Sequence, residues 1–174
     1  SDFFCSEESW YTKIKSPAEL VTGILRLTGE FEKPRRQILD RNRQIAYMGQ
    51  MLWAPPTVEG WHEGIEWIDT GNLVERLNFV SEQMGTENNP GVNTMIEEIN
   101  SMGEGDVSSE ELVDTCLDQM GAMSVSQNTY SALVDFGSKL GPLRLGLDAT
   151  DSDVRRKIVG MLRMIAATPD FQRA

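Results

Sequence analysis

His62, Glu63, Glu66 and Asp69 fall in one short stretch of the chain, interleaved with Trp53, Trp61 and Trp67. Carboxylates beside indole rings are the raw material of carbohydrate sites. The apolar face of a sugar stacks on a ring while the acids hold or move protons at its oxygens. Arg76, about two helical turns beyond Asp69, could reach back to the carbonyls of this stretch or to Glu66. The same residues also have a purely structural use. Trp61 and Trp67 can anchor an irregular loop on a core, Asp69 can cap the helix that follows, and the glutamates can stand in water. His62 is the only histidine in the chain, and no partner that would make it a general base is identifiable. Trp53, Trp61, His62, Glu63, Glu66, Trp67, Asp69 and Arg76 are therefore candidate binding residues, and no catalytic residue is assigned.

Other chemistry is scarce. The sequence has no GxSxG, P-loop, GxGxxG, HExxH or CxxC, and one histidine cannot supply a multi-histidine metal site. Asp148, Asp151 and Asp153 in LDATDSDV resemble a calcium loop only faintly. They lack its turn glycine and closing glutamate, and helix capping explains them more simply. No metal and no cofactor is expected. Cys5 and Cys116 are far apart in sequence and read as two buried thiols, with one disulfide as the alternative.

Helix signals dominate the rest. Ser16-Pro17-Ala18-Glu19 is a capping box with proline at the first helical position, and Leu20, Val21, Ile24 and Leu25 run on to Gly29. Pro34 opens a second helix with Ile38, Ile45, Met48 and Leu52 on one side. Its arginines Arg35, Arg36, Arg41 and Arg43 are expected on a solvated face. After the tryptophan loop, Asp69 or Thr70 caps a third helix with Leu73, Leu77, Val80 and Met84 as its apolar stripe. GTENNPG, from Gly85 to Gly91, is turn chemistry and the best lobe boundary.

Further helices follow around Val92 to Met102, after the capping box Ser108 to Glu111, after Ser126, and after Thr150-Asp151-Ser152-Asp153, the last stopped by Pro169. Sustained two-residue alternation is missing, so strands should be few or absent. The expected fold is all-α: an irregular bundle of six or seven helices with one long Trp/Pro/Gly-rich loop, a single domain over residues 1–174 with possible sub-lobes at 1–85 and 92–174.

The net charge is −11, with 9 basic and 13 acidic residues up to Gly85 and 7 and 14 after it. Neither part offers a basic face, so nucleic-acid binding is not expected. No run of about 20 apolar residues exists to insert in a membrane. The opening SDFFCSEESW reads like the interior of a longer chain. A fragment that lacks its covering should expose an apolar patch near Phe3 and Phe4 or along a helix stripe, and could dimerise through it.

IKSPAELVTGILRLTG, YMGQMLWAPPTVEGWHEGIEWIDTGNLVERLNF and IAATPDFQ carry a resemblance. The chain resembles the C-terminal region of the bacterial domain-of-unknown-function 1800 (DUF1800) family. That family shows K-S-P-x-E-L, G-Q-x-L-[FW]-x-P-P-x-V-x-G-W, W-[IL]-x-[ST], R-x-N-F and a closing S/T-P-x-F-Q. These fall here on Lys15–Leu20, Gly49–Trp61, Trp67–Thr70, Arg76–Phe79 and Thr168–Gln172. The family usually continues from Gly-Trp into proline and glycines, whereas this chain has His62-Glu63-Gly64, so any role of His62 is private to it.

The resemblance implies a larger, exported parent protein, periplasmic, secreted or at the cell surface. It also implies a missing N-terminal part as partner, and it carries no activity. The expected function is that of a structural or binding module, packing on that part or on another protein. A carbohydrate-binding or hydrolase-like site at Trp53–Asp69 is the alternative, and the balance leans against an enzyme in this fragment. In either case the loop should form a clasp between two helices.

Overall fold

The structure is a computed structural model, and it describes residues 12–30, 36–86, 89–121, 123–146 and 152–173. Its elements are α1 (Pro17–Thr28), α2 (Gln37–Tyr47), a 3-10 turn (Gly64–Ile68), α3 (Thr70–Gly85), α4 (Pro90–Ser101), β1 (Gly105–Val107), α5 (Ser109–Gln119), α6 (Gln127–Leu140), β2 (Leu143–Leu145) and α7 (Ser152–Ala166). Among the described residues the fold is all-α apart from one small antiparallel ribbon. That ribbon pairs Gly105 with Leu145 and Val107 with Leu143, tying the α4–α5 connection to the α6–α7 one.

Local chemistry sets most helix boundaries. The Ser16 hydroxyl accepts from the Glu19 amide while Glu19 accepts from the Ser16 amide at 2.7 Å, and Pro17 begins α1. Ser108 and Glu111 repeat this box at α5, and Ser126 caps α6 through the Thr129 amide. Gly29 closes α1 in the left-handed conformation. At Gly91 a Cβ would overlap the Leu27 carbonyl oxygen, so glycine permits α4 to start against the end of α1.

α7 is the hub, packing on α3, α4, α5 and α6, while α1 packs on α2, α3 and α4. One continuous core results, running from Leu20 and Ile24 of α1 through Val80 and Met84 of α3 to Val113 of α5 and Ile158 and Leu162 of α7. Cys116 lies fully within it as a free thiol, and burial pushes its pKa up to about 12, so it is inert at neutral pH.

Three sequence expectations need correction. On α3 the buried face is Arg76, Phe79, Val80, Gln83 and Met84, and Leu73 faces solvent. The stripe is turned because α3 buries a charged residue whose partners are remote in sequence. On α2, Arg41 is not on a solvated face. It pairs with Glu30 at 2.6 Å, with side chains 12% and 13% exposed, donates to Gln44 and Gln83 and lies over the Phe79 ring. Arg36 and Arg43 do face water. Leu52, expected on the α2 stripe, is half-buried in the loop after it. Phe3, Phe4, Cys5, Pro34, Arg35, Asp148, Thr150 and Asp151 lie outside the described residues.

The α1 cap yields a pH dependence. Burial alone would raise the Glu19 pKa, but hydrogen bonds from Lys13 and from the Ser16 amide and hydroxyl outweigh it, and the net shift is downward from 4.5. A carboxylate with a depressed native pKa adds stability above its unfolded value, and that stability is lost as pH falls through the native value. Glu19→Ala should therefore cost about 0.5–1 kcal/mol near pH 7. The gap between wild type and variant in urea midpoint should close as the pH falls below 4.5. A gap that does not change with pH would show that the carboxylate is not the source of the stability.

Candidate functional site

The tryptophan loop is built as an anchored base and an open apex. α2 ends at Tyr47, and Gly49, at φ 95°, turns the chain out of it. Gln50 is buried, and its side-chain oxygen accepts from the Ala18 amide at 2.9 Å. A residue on the loop thereby satisfies one of the amides that α1 leaves without a helical partner. The Trp61 indole N–H donates to the Met51 carbonyl at 3.0 Å, closing the loop on itself. A tight turn from Thr57 to Gly60 carries two hydrogen bonds of 3.2 Å.

Trp67 is seated by the 3-10 turn and is 5% exposed. Asp69 then caps α3 by accepting from the Asn72 amide at 2.9 Å. The Asn72 side chain donates to the Glu66 carbonyl and lies against Gly49, joining the first turn of α3 to the exit of α2.

The apex is different. Trp53 is 94% exposed and is the one non-glycine residue at positive φ among the described residues, at 71°. A left-handed conformation costs an L-residue roughly 1–2 kcal/mol, and an indole in water gains nothing to offset it. Met51, Val58 and Ile65 on the same loop are also exposed.

Not all the candidate residues meet. His62, Glu66, Trp67 and Asp69 line one open hollow of about 340 Å³ together with Gly49 and Asn72. His62 Nδ1 stands 2.7 Å from Glu66 Oε2, both side chains being exposed, which supplies the partner the sequence left unidentified. Trp53, Trp61, Glu63 and Arg76 do not line the hollow. Among the described residues, no three of His, Cys, Asp and Glu are grouped so as to hold a metal ion.

Arg76 does not reach back to the loop. It points the other way and is completely buried. Nε donates to Gln172 Oε1 at 2.9 Å and Nη2 to the Lys15 carbonyl at 2.8 Å, while Nη1 has no partner among the described residues. Burial lowers its pKa to about 10, leaving it charged at neutral pH. Around it, the Lys15 amide donates to the Gln172 carbonyl, and Lys15 Nζ donates to the Phe171 carbonyl from a position 4.4 Å above the Phe171 ring. Burial, and then the Arg76 charge, lower the Lys15 pKa. The Gln172 amide group in turn donates to Ala166, and the Thr168 hydroxyl accepts from Phe171.

The family model described as "Protein of unknown function (DUF1800)" matches residues 1–173. The chain belongs to the DUF1800 family. No curated protein and no solved structure matches it. The structure gives the residues that carry the DUF1800 resemblance a common purpose. Lys15, Arg76, Thr168, Phe171 and Gln172 come from three separate motifs and meet in one buried cluster, and Gln50 from a fourth caps the helix that starts beside it. Spacing alone could not reveal this, because Arg76 and Gln172 are 96 residues apart.

Arg76→Ala should cost about 3–5 kcal/mol, because it leaves one buried and one part-buried acceptor unpaired and opens a cavity. Arg76→Met, which refills the volume and removes the buried charge, should cost clearly less. Urea denaturation of both variants measures the difference, and equal losses would show that the hydrogen bonds, rather than the packing, carry the whole effect.

Proposed function

We propose that this chain is a helical binding module of a larger exported protein, with the tryptophan loop as its docking element. The observation that carries the reading is Trp53, a large indole held in a left-handed backbone and left almost wholly in water. Strained, exposed aromatic residues persist where the surrounding structure imposes them, and they cluster at clamps and switches. Among the described residues, every large exposed apolar side chain except Met102 and Met164 lies between Leu39 and Val74. Isolated apolar side chains on a surface mean little, but a concentration on one segment marks an interaction surface.

The charges indicate the kind of partner. Between Arg43 and Arg76 there is no Lys or Arg, while Glu59, Glu63, Glu66, Asp69 and Glu75 are all acidic. A protein surface with an apolar socket for the Trp53 ring and a basic rim fits such an element, since complementary charge speeds encounter and fixes register. An N-terminal part of that larger protein is the partner we favour. Support for it, and for export of the parent protein, is the DUF1800 resemblance.

The carbohydrate reading keeps one favouring observation, the hollow shared by His62, Glu66 and Asp69. Its weakness is the ring beneath them, because Trp67 is buried and offers no open face for stacking. Tryptophan emission that does not change across a broad glycan panel would remove it.

For the docking reading, Trp53→Gly relieves the backbone and should raise stability or leave it unchanged, within about 1 kcal/mol. A photo-crosslinking residue at position 53 of the full-length protein should join this loop to one partner site, whereas the same probe at Glu98 on α4 should not. Destabilisation by Trp53→Gly, together with equal crosslinking from both positions, would sink the proposal.

A further inference from the structure

A second cavity, of about 450 Å³, opens on another face of the molecule, between the end of α3, the starts of α4 and α7, and the end of α6. It shares no residue with the hollow at the tryptophan loop. Its walls are apolar, from Met84, Val92, Leu140 and Val159, and three arginines of α7, Arg155, Arg156 and Arg163, line it. No aspartate or glutamate is among its described lining residues.

The three arginines are placed differently. Arg155 donates to Asn93 Oδ1 at 2.8 Å, and Arg156 is fixed by Asp153 at 2.5 Å. The neighbouring Lys157 turns away, bonding to the Pro142 carbonyl and to Asp153. The Arg163 side chain has neither a hydrogen bond nor an ion pair among the described residues. Its guanidinium lies on Gly85, where a Cβ would overlap Nη2 and Cζ. Gly85 has no left-handed φ to require glycine, so the space it leaves is the space the guanidinium uses. Arg163 is thus seated across the rim of the cavity with its planar donors uncommitted.

We propose that this cavity binds an amphipathic anion, a carboxylate or phosphate on a short apolar body, with Arg163 contacting the anionic group and Val92, Leu140 and Val159 the body. Guanidinium groups pair bidentately with both oxyanions, which makes them a better match than lysine for this task. Apolar walls with a few convergent polar groups are the usual make-up of a small-molecule site, and the volume falls in the usual range. Ser152, in the first turn of α7, completes the rim.

The test is a titration of the ¹⁵N-labelled protein followed by amide chemical shifts. The probes are octanoate, octyl phosphate, inorganic phosphate and octyltrimethylammonium. Octanoate or octyl phosphate should shift the Gly85, Thr86 and Gly160 amides saturably, with a Kd on the order of 0.1 mM. Which of the two binds more tightly identifies the oxyanion. Inorganic phosphate should bind at least about tenfold more weakly, and the octyl cation should leave these amides unmoved.

Arg163→Glu should weaken binding about tenfold or more, with an unchanged far-UV circular dichroism spectrum. Gly85→Ala, which displaces the guanidinium without altering any charge, should weaken it as well. Unsaturable or scattered shifts, equal binding of the octyl cation, inorganic phosphate binding as tightly as octyl phosphate, or wild-type affinity in both variants would each overturn the proposal.

Discussion

A buried cation with no counter-ion among the described residues organises this fold. Taking a guanidinium out of water costs several kcal/mol, and the cost is tolerated only when its donors are met with good geometry. Two of the three Arg76 nitrogens, Nε and Nη2, are met by a side-chain oxygen at Gln172 and a carbonyl at Lys15, and neither belongs to the helix that carries Arg76. α3 can therefore bury its inner face only once the segment before α1 and the turn after α7 have both arrived. The Lys15–Gln172 backbone bond and the bridge between Ile14 and Arg173 hold those two segments together at the same point. Because α1 starts at Pro17, immediately beyond Lys15, its position follows from the cluster, and Gln50 at the Ala18 amide brings the tryptophan loop into the same arrangement.

The parts of this fold that could be read from the sequence are those fixed by local chemistry. Ser16, Ser108 and Ser126 bond to amides three residues ahead, so their helices announce themselves within a few residues. Arg76 and Arg41 could not be read in this way. Residue type places an arginine outside, and only partners distant in sequence or on other elements reverse that. Once Arg76 turns inward the stripe of α3 rotates with it, which is why Leu73 is exposed against expectation. Arg163 is illegible in the sequence for a related reason. A single arginine in a helix is unremarkable until another helix presents a glycine beneath it.

For the tryptophan loop, the sequence conveyed its importance but not its division of labour. Trp53, Trp61 and Trp67 are chemically the same, and which of them is covered depends on where α1 and α3 lie. Trp67 became part of the base, Trp61 closes the loop through Met51, and Trp53 was left outside. His62 and Glu66 found each other across one turn of chain, a local pairing that their spacing permits. Both remain in water, where such a pair adds little to stability.

The strain at Trp53 and the rigidity of the base are connected. A left-handed tryptophan on a free loop would relax to a β or α conformation, since nothing at the residue itself opposes the change. It persists because both flanks are fixed, with Gln50 bonded to α1 on one side and Trp61 bonded back to Met51 on the other. That bracing also limits the conformations the apex can sample. An aromatic side chain whose backbone is already ordered loses less entropy on meeting a partner than one that must be ordered at that moment. The buried cluster around Arg76 thus bears on recognition although it touches no ligand, because it fixes α1 and α3, on which the loop is mounted.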